Sequence, residues 1–344
     1  MHQPREWTLS IEAALVARAR SGDPDAFRDL VEPFEHELLV HCYRMLGSLD
    51  DAEDALQDIL LAAWRGIVAF HGRASVRTWL YRVATNRCLN ALRSMNRRPP
   101  LHAPPAGLHP PAPSGASEIA WLEPFPDVLL EGLPAEPGPE ARLEQSEAIR
   151  LTFITVMQLL PPRQRAVLIL CDVLGFSAGE VVEMLSMTPD SVSSALKRAR
   201  SKLRQRADDL ERPPAPGSER ERHVVARLAH AYETGDVDAL VGVLADDVLV
   251  SMPPLPLEYK GRDLVAEFHA RVTFREGRTY SIVPTRANGE PAFGAYIRHR
   301  AGGPRHALGL LAITVAGDRV SGITRFDTRV LARFGLSRAL PPEQ

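Results

Sequence analysis

The sequence predicts a multidomain protein in which two all-α blocks are followed by one α+β domain. The chain has 344 residues, and a globular domain typically holds about 150, so the length indicates two or three domains. Proline divides the chain, because 12 of its 29 prolines lie within 99–139. Apolar residues recur at helical spacing in the N-terminal part and alternate as in strands near the C-terminal end, for example over 308–315.

Composition excludes several classes of protein. Hydrophobic residues make up 45% and charged residues 24% of the chain, ordinary values for a soluble globular protein and unlike a disordered or fibrous one. No run of 18 apolar residues and no N-terminal apolar segment is present, so we expect a cytoplasmic protein without a membrane contact. Cys42, Cys88 and Cys171 are far apart and form no metal-binding pattern. We therefore expect reduced core cysteines, no metal and no cofactor.

Proline-rich breaks and changes in charge set the expected boundaries. From Pro99 to Ile149 the chain has eight acids and one arginine, which indicates an extended acidic linker. A shorter break follows at Arg212–Ser218. The predicted divisions are a first helical block at 10–98, an acidic linker at 99–139, a second helical block at 140–210, a short linker at 211–219 and an α+β domain at 220–336.

The first block is expected to be a helical bundle with strongly separated charges. Its apolar positions have helical spacing, and Gly47–Asp50 supplies a break between two helices. Asp50–Asp58 contains five acids and no base, whereas Arg73–Arg98 contains seven basic residues and no acid. The whole-chain net charge of −2 therefore averages over regions of opposite sign.

The second block has the pattern of a helix-turn-helix. Gln164–Leu174 is predicted as one apolar helix, Ser177 as the N-cap of a second, and Thr188-Pro189 as the start of a third. Gly175–Gly179 also matches the G-x-S-x-G nucleophile pattern, but N-capping is the simpler role for Ser177. In the third helix, small and basic residues share the outward face, as in a DNA-recognition helix, although a solvated bundle helix would show the same spacing. These outward residues are Ser191, Ser193, Ser194, Lys197, Arg198 and Arg200.

Two sets of motifs resemble those of extracytoplasmic-function (ECF) sigma factors, the promoter-recognising subunits of bacterial RNA polymerase. Asp51–Ile59 and Arg77–Asn86 are similar to sigma region 2. Leu160–Arg165 and Ala195–Arg200 are similar to sigma region 4. The resemblance implies a region 2 helical bundle and a region 4 helix-turn-helix, acting on core RNA polymerase and promoter DNA without a chemical step.

The same resemblance implies specific contacts. Asp54, Gln57 and Asp58 share one helix face and would bind the β′ clamp helices of the polymerase, with the β flap as a further partner. The loop Phe70–Val76 would capture a base flipped from the melted strand. Residues implied at the minus-10 element are Arg73, Ser75, Arg77, Arg82, Asn86, Asn90 and Arg93. The outward residues of the third helix would bind the minus-35 element; Ala195 stands where relatives often carry a long polar side chain, so readout is expected to rest on Ser193, Ser194 and Arg198.

The C-terminal part resembles a SnoaL-like domain of the nuclear-transport-factor-2-like superfamily. Ala231–Leu240, Leu244–Val248, Met252–Pro254 and Tyr259–Arg262 carry the resemblance, which implies an α+β cone. Some members of the superfamily are isomerases or cyclases with an Asp or His base; Asp247, His269, His306 and Asp327 are the residues of those types, with surface or core roles as the alternative. Candidate lining residues for an unidentified small ligand, each equally suited to core packing, are Met252, Tyr259, Phe268, Phe293, Tyr296, His306 and Phe326.

The linker contains an aromatic segment, Trp121–Pro126, similar to a motif of sigma factors with such a tail. Trp121 and Phe125 are expected to dock on the tail or on region 2, because aromatic side chains in a proline-rich linker offer a large area for burial. The sequence thus predicts a non-enzymatic ECF sigma factor regulated by its fused domain. The alternatives are a SnoaL-type isomerase or cyclase on a DNA-binding platform, and a non-sigma helix-turn-helix regulator.

Overall fold

The computed structural model describes residues 3–94, 109–131, 148–207, 213–298 and 303–341. They form two compact units. The first unit holds residues 3–94 and 160–203, and the second holds 109–131, 148–159 and the described residues from 204 onward. Parts of the expected linkers, including 99–108 and 132–139, lie outside the described residues.

Both units contain helices, and the second also contains a sheet. The helices are α1 (Gln3–Arg20), α2 (Pro24–Leu46), α3 (Leu49–Gly66), α4 (Val76–Ser94), α5 (Leu151–Gln158), α6 (Pro162–Leu168), α7 (Ala178–Leu185), α8 (Pro189–Ala207), α9 (Glu219–Thr234), α10 (Val237–Val241) and α11 (Arg262–Phe268). The strands are β1 (Leu244–Met252), β2 (Leu255–Lys260), β3 (Tyr280–Ala287), β4 (Glu290–Arg298), β5 (Arg305–Ala316), β6 (Arg319–Phe326) and β7 (Ala339–Leu340). Among the described residues, no helix combines the length and apolar character needed to cross a membrane.

Helices α1 to α4 form the N-terminal bundle of the first unit. The predicted break is confirmed, because Gly47 ends α2 in the left-handed conformation and Ser48 accepts a hydrogen bond from Asp51 N–H at the start of α3. The core is built from fully buried side chains of several helices, such as Leu38, Tyr43 and Leu80. The three cysteines are free thiols, as expected; Cys42 and Cys88 are buried, whereas Cys171 is only half-buried.

The helix-turn-helix elements α6, α7 and α8 complete the first unit. The predicted helix Gln164–Leu174 was wrong in detail, because α6 ends at Leu168 and continues as a π-helical turn, Ile169–Val173. The turn is closed by a hydrogen bond from Leu174 N–H to Ile169 C=O at 3.0 Å.

The predicted cap of α7 is confirmed. Ser177 and Glu180 form a capping box, in which each side chain accepts a hydrogen bond from the other residue's backbone N–H. The nucleophile pattern at 175–179 is thereby explained by local helix capping. Thr188 Oγ1 likewise accepts from Ser191 N–H at 3.2 Å in the first turn of α8.

The second unit contains a mixed sheet with the order β2-β1-β6-β5-β4-β3, and β7 pairs with β5. Strands β1 and β6 are parallel, while the other neighbouring pairs are antiparallel. The predicted hairpin turn before Arg319 is confirmed, because Gly317 has a positive φ of 57° between β5 and β6. The expected fold class, helical sigma blocks followed by an α+β domain, is therefore confirmed.

The two faces of the sheet bury different partners. On one face, Phe293, Leu311 and Ile323 pack with α9 and α11 in a single apolar core. Alternation along the strands places Tyr296, Phe326 and Glu290 on the other face. This second face meets the linker and the start of α5 through contacts described below.

Candidate polymerase and promoter interfaces

The three residues expected to bind polymerase lie together on one exposed face of α3. Asp54, Gln57 and Asp58 are solvent-exposed, while Ala52, Ala55 and Ile59 on the opposite side are buried in the bundle. The same face continues into two exposed apolar side chains, Leu61 at 55% and Val68 at 62% exposure. This surface, residues 54–68, therefore combines negative charge with apolar area, which suits a basic and partly apolar protein partner.

The residues expected at the minus-10 element lie on α4 and on the loop before it. Arg73, Arg82, Asn90 and Arg93 are exposed, and Arg93 Nη1 donates to Asn90 Oδ1 at 2.8 Å. Ser75 has a structural role at this point, because its Oγ accepts from Thr78 N–H at 3.0 Å near the start of α4.

Arg77, by contrast, is held within the first unit. Its guanidinium carbon lies 4.9 Å from the ring centroids of both Tyr81 and Phe176, and its Nε and Nη2 lie 3.4 Å from Glu37 Oε2. Phe176 precedes α7, so a residue of the helix-turn-helix packs on this arginine.

Asn86 is also engaged by the helix-turn-helix. Its Nδ2 donates to Arg82 C=O at 2.8 Å and to Met184 C=O of α7 at 3.1 Å. Thr78 Oγ1 lies 3.4 Å from Glu180 Oε1, again between α4 and α7. Two of the residues expected at the minus-10 element thus have intramolecular partners in this structure.

The aromatic residues beside the α4 loop pack on each other. Trp79 is half-buried, and its ring centroid lies 5.0 Å from that of Phe70. Both residues therefore support the loop between them, while its tip from His71 to Ser75 is exposed.

The recognition helix α8 exposes all six residues expected at the minus-35 element, from Ser191 to Arg200. Val192, Ala195 and Ala199 form its buried side. Ala195 faces the core of the helix-turn-helix, so a long polar side chain would have no room to turn inward there.

Arg200 differs from the other basic residues of this face. Its Nε and Nη2 donate to the two carboxylate oxygens of Asp172 at 2.8 and 2.7 Å, and this pairing raises the pKa of Arg200. Lys197 and Arg198 are exposed and are better placed for direct phosphate contact.

The seven candidate pocket residues of the tail do not converge on one cavity. Met252, Tyr259, Phe268 and Phe293 belong to the core between the sheet and the helices. Tyr296 and Phe326 are buried on the other face of the sheet, where Tyr296 Oη donates to Ser337 C=O at 2.8 Å. His306 is exposed on β5. The alternation of side chains along a strand explains this separation.

The four candidate acid–base residues also lie in different environments. Asp247 and His306 are exposed, and Asp327 pairs with Arg329 at 2.7 Å. His269 is buried, with Nδ1 2.7 Å from Val265 C=O and Nε2 2.9 Å from Tyr232 Oη. Since a carbonyl only accepts, Nδ1 carries the proton and Nε2 accepts from the tyrosine. Burial lowers the pKa of His269 to about 4, which fits a neutral core histidine.

Within the described residues, no group of three or more His, Cys, Asp or Glu side chains is arranged to hold a metal ion.

Both linker aromatics lie in the second unit. Phe125 is fully buried, and its backbone N–H and C=O pair with Asn288 Oδ1 and N–H at 2.9 and 2.8 Å. Trp121 is half-buried. Earlier in the linker, Ser114 N–H donates to Glu258 C=O at 2.9 Å, so the linker also pairs with the edge strand β2.

Sequence reasoning missed Asn288 and Glu290, which are buried polar residues of the turn between β3 and β4. The dipeptide Asn288-Gly289 was a usable signal, since Asn-Gly strongly favours a two-residue hairpin turn. Both residues have positive φ, 58° and 71°. Their contacts with residues 125–151 are long-range in sequence and had no signal of their own.

Comparison with known families follows this arrangement of elements. A model of sigma-70 region 2 matches residues 30–98, and a model of sigma-70 region 4 matches residues 150–203. The first match contains the α3 face and α4, and the second contains the helix-turn-helix. The two regions define a sigma-70-type transcription initiation factor.

A closer assignment comes from relatives. The ECF RNA polymerase sigma factor SigG of Mycobacterium tuberculosis is 40% identical over 333 residues, covering 94% of this chain and 86% of SigG. The chain belongs to the ECF RNA polymerase sigma factors. SigW of Bacillus subtilis is 29% identical over 195 residues, covering 96% of SigW but 57% of this chain. SigW therefore has no counterpart to a large part of this chain.

Solved structures show a similar fold. The crystal structure of the ECF sigma factor SigJ from Mycobacterium tuberculosis has a TM-score of 0.56 and 24% identity, covering 87% of this chain and 96% of SigJ. An NTF2-like protein of unknown function from Mesorhizobium loti covers 33% of this chain with 15% identity and a TM-score of 0.29. The tail itself has helices on one face of a mixed sheet, the arrangement expected of an NTF2-like domain.

Proposed function

We propose that this ECF sigma factor binds core polymerase through the exposed face of α3, reads the minus-10 element with α4 and the minus-35 element with α8, and is restrained by its C-terminal domain. The protein performs no chemical step of its own in this proposal. Its role is to position polymerase on promoter DNA and to help separate the strands.

The observation that carries the DNA-binding role is the surface of α8. Its exposed side begins with small hydroxyl side chains, Ser191 to Ser194, and continues with Lys197 and Arg198. Small polar residues at the start of a recognition helix allow close approach to base edges, and the cations beyond them meet phosphates.

Restraint is supported by contacts inside each unit. In the first unit, Arg77 and Asn86 contact Phe176 and Met184, so part of the expected minus-10 surface is occupied. In the second, the domain holds the linker that joins the two sigma blocks, through Ser114 and Phe125. A linker held at two points has a shorter reach than a free proline-rich chain. Promoter binding requires both blocks to reach their elements together, so we expect the held linker to oppose it.

Run-off transcription with purified core polymerase tests the proposal. We expect promoter-dependent transcript from the full chain and more transcript from a chain truncated at Leu210. Because α5 belongs to the same unit as the tail, the full-length variant Trp121→Ala/Phe125→Ala provides a second test, with Val128→Ala, exposed at 61% in the same linker, as its control.

The outcomes separate the two parts of the proposal. Absence of promoter-dependent transcript from every form would contradict the sigma activity. Equal transcript from the full chain, the truncation and the double variant would contradict restraint by the C-terminal domain.

A further inference from the structure

The turn between β3 and β4 contacts the linker and the start of α5 at the same time. Asn288 Oδ1 accepts from Phe125 N–H at 2.9 Å, and Nδ2 of the same side chain donates to Ile149 C=O at 2.8 Å. Asn288 N–H also donates to Phe125 C=O at 2.8 Å. One fully buried side chain therefore joins two backbone segments that are 24 positions apart in sequence.

Next to Asn288, the turn binds Asp127 of the linker. Gly289 N–H donates to Asp127 Oδ1 at 2.7 Å, and Arg286 Nε lies 3.3 Å from Asp127 Oδ2. Arg286 is itself fixed by Glu221 Oε1 at 2.9 Å and by Gly289 C=O at 2.6 Å. Burial raises the pKa of Asp127, while the Gly289 N–H and Arg286 oppose that rise. The site thus has a donor set for one carboxylate.

On its other side, the turn holds the N-terminus of α5. Glu290 is 1% exposed; its Oε1 lies 3.1 Å from Arg150 Nη2 and its Oε2 accepts from Leu151 N–H at 3.1 Å. Burial raises the pKa of Glu290, opposed mainly by Arg150. The first N–H groups of a helix lack intrahelical partners and favour a negative charge, so Glu290 supplies what the sequence at Arg150 does not, a capping acceptor.

We propose that residues 286–290, here called the clasp, form a binding site for segments 125–127 and 149–151 of the same chain, and that opening the clasp is a step in activation of the sigma factor. The inference rests on the proposed restraint by the C-terminal domain and specifies the residues that impose it. Its partner is a backbone-paired peptide with one buried carboxylate, followed by a helix N-terminus.

The division of sigma region 4 is the main argument for a regulatory role. The region 4 match begins at residue 150, yet residues 148–159 lie in the same compact unit as the clasp, and the rest of the match lies in the other. Helix α5 is therefore held by the C-terminal domain although its sequence belongs to the DNA-binding region. Residues 159 and 160 are joined directly, so a fixed α5 limits where the helix-turn-helix can go.

A turn-forming role alone does not explain the side chains of the clasp. A two-residue hairpin turn with positive φ at both positions needs only residues that tolerate that conformation, and glycine does so at position 288 as well as asparagine. The two side-chain hydrogen bonds of Asn288 and the fully buried Glu290 are additional features, and all of them are used on the linker or on α5.

Two full-length variants test the clasp. Asn288→Gly keeps the positive φ and the backbone hydrogen bond to Phe125 but removes both side-chain bonds. Glu290→Gln keeps the shape and removes the negative charge beside Arg150. Asp318→Gly, in the exposed β5–β6 turn, is the matched control for a weakened hairpin.

Hydrogen–deuterium exchange and run-off transcription are measured on each form. We expect amides of 119–129 and 151–158 to exchange about tenfold faster in Asn288→Gly and Glu290→Gln, because each loses hydrogen bonds or a charge partner in a buried site. Amides of β5 should keep wild-type rates. Transcript from the same promoter should rise at least about twofold in both variants and stay unchanged in Asp318→Gly.

Unchanged exchange in both variants would overturn the clasp as a binding site. Faster exchange with wild-type transcript would overturn its role in activation. Both results are distinct from failure of the proposed function, in which no form yields promoter-dependent transcript or truncation of the tail has no effect.

Discussion

At the scale of single residues, Arg77 combines two demands. The family resemblance expects it at promoter DNA, and the structure places its guanidinium between the rings of Tyr81 and Phe176 and beside Glu37. Arg82, about one turn further along α4, is exposed. These two arginines therefore separate the structural contribution of a buried cation from the general effect of positive charge.

Arg77→Ala should destabilise the first unit by about 1–2 kcal/mol, because it removes two cation–π contacts and the packing of the aliphatic stem. The ion pair with Glu37 adds little, since Arg77 remains about one-third exposed. Arg82→Ala should stay within about 0.5 kcal/mol of wild type. Urea unfolding, followed by hydrogen exchange of α2 and α4, measures both, and equal effects of the two substitutions would contradict the role of Arg77.

His269 gives a pH dependence at the same scale. Its pKa is lowered from an ordinary value of 6.5 to about 4 by burial, so the unfolded chain binds a proton more readily than the folded tail. The sign follows: the stabilising contribution is complete above pH 6.5 and is lost as the pH falls towards 4. Hydrogen exchange of β5 at pH 7 and pH 5 should show this loss, and His269→Gln should reduce it; an unchanged pH dependence in the variant would contradict the assignment.

At the scale of elements, α3 presents acids and apolar side chains on one exposed face. Asp54→Lys/Asp58→Lys should lower the affinity for core polymerase by at least about tenfold, because both acids become like charges towards a basic partner. The fold should be unaffected, since both side chains are exposed. Asp29→Lys, an exposed acid on α2, is the control. Competition for core polymerase against labelled wild-type protein measures the effect; equal competition by both variants would contradict a polymerase-binding α3.

Helix α8 gives a second prediction for an element. Arg198 is exposed, whereas Arg200 is paired with both oxygens of Asp172. Arg198→Ala should weaken binding to minus-35 DNA and lower the slope of log affinity against log salt by about 1, and Arg200→Ala should do less. Fluorescence anisotropy across a salt series measures both slopes. A larger effect of Arg200 would show that its pairing with Asp172 breaks on DNA.

The sequence predicted those elements whose signals are local. The caps at Ser48, Ser177 and Thr188 and the break at Gly47 depend on a few neighbouring residues, and they occur as predicted. The π-helical turn did not have such a signal, because its apolar pattern also fits an ordinary helix. The candidate pocket combined residues such as Phe293 and Tyr296 whose positions differ by an odd number along one strand, so the alternation of side chains separates them.

At the scale of the whole molecule, the net charge of −2 hides the separation of charge. The acids lie on α3 and in the linker, and the bases lie on α4 and α8. The described acids of the linker include Asp127, which is paired with Arg286 of the clasp rather than left in solvent. Linker acids held in this way keep their negative charge in the same chain as the DNA-binding surfaces, and long-range fields of opposite sign weaken association with phosphates.

Without core polymerase, the full chain should therefore bind promoter DNA weakly and with a shallow dependence on salt, because few phosphates are neutralised. Asn288→Gly should bind more tightly with a steeper slope, since release of the linker lets both sigma blocks contact one DNA molecule. Anisotropy with labelled promoter DNA at several salt concentrations, with Asp318→Gly as control, measures both. Adding the Arg198→Ala substitution to the released variant should return the slope towards that of the wild type, because the added contacts then lose a cation. Tight promoter binding by the free wild-type chain would contradict this account, because the DNA-binding surfaces would then be available before polymerase arrives.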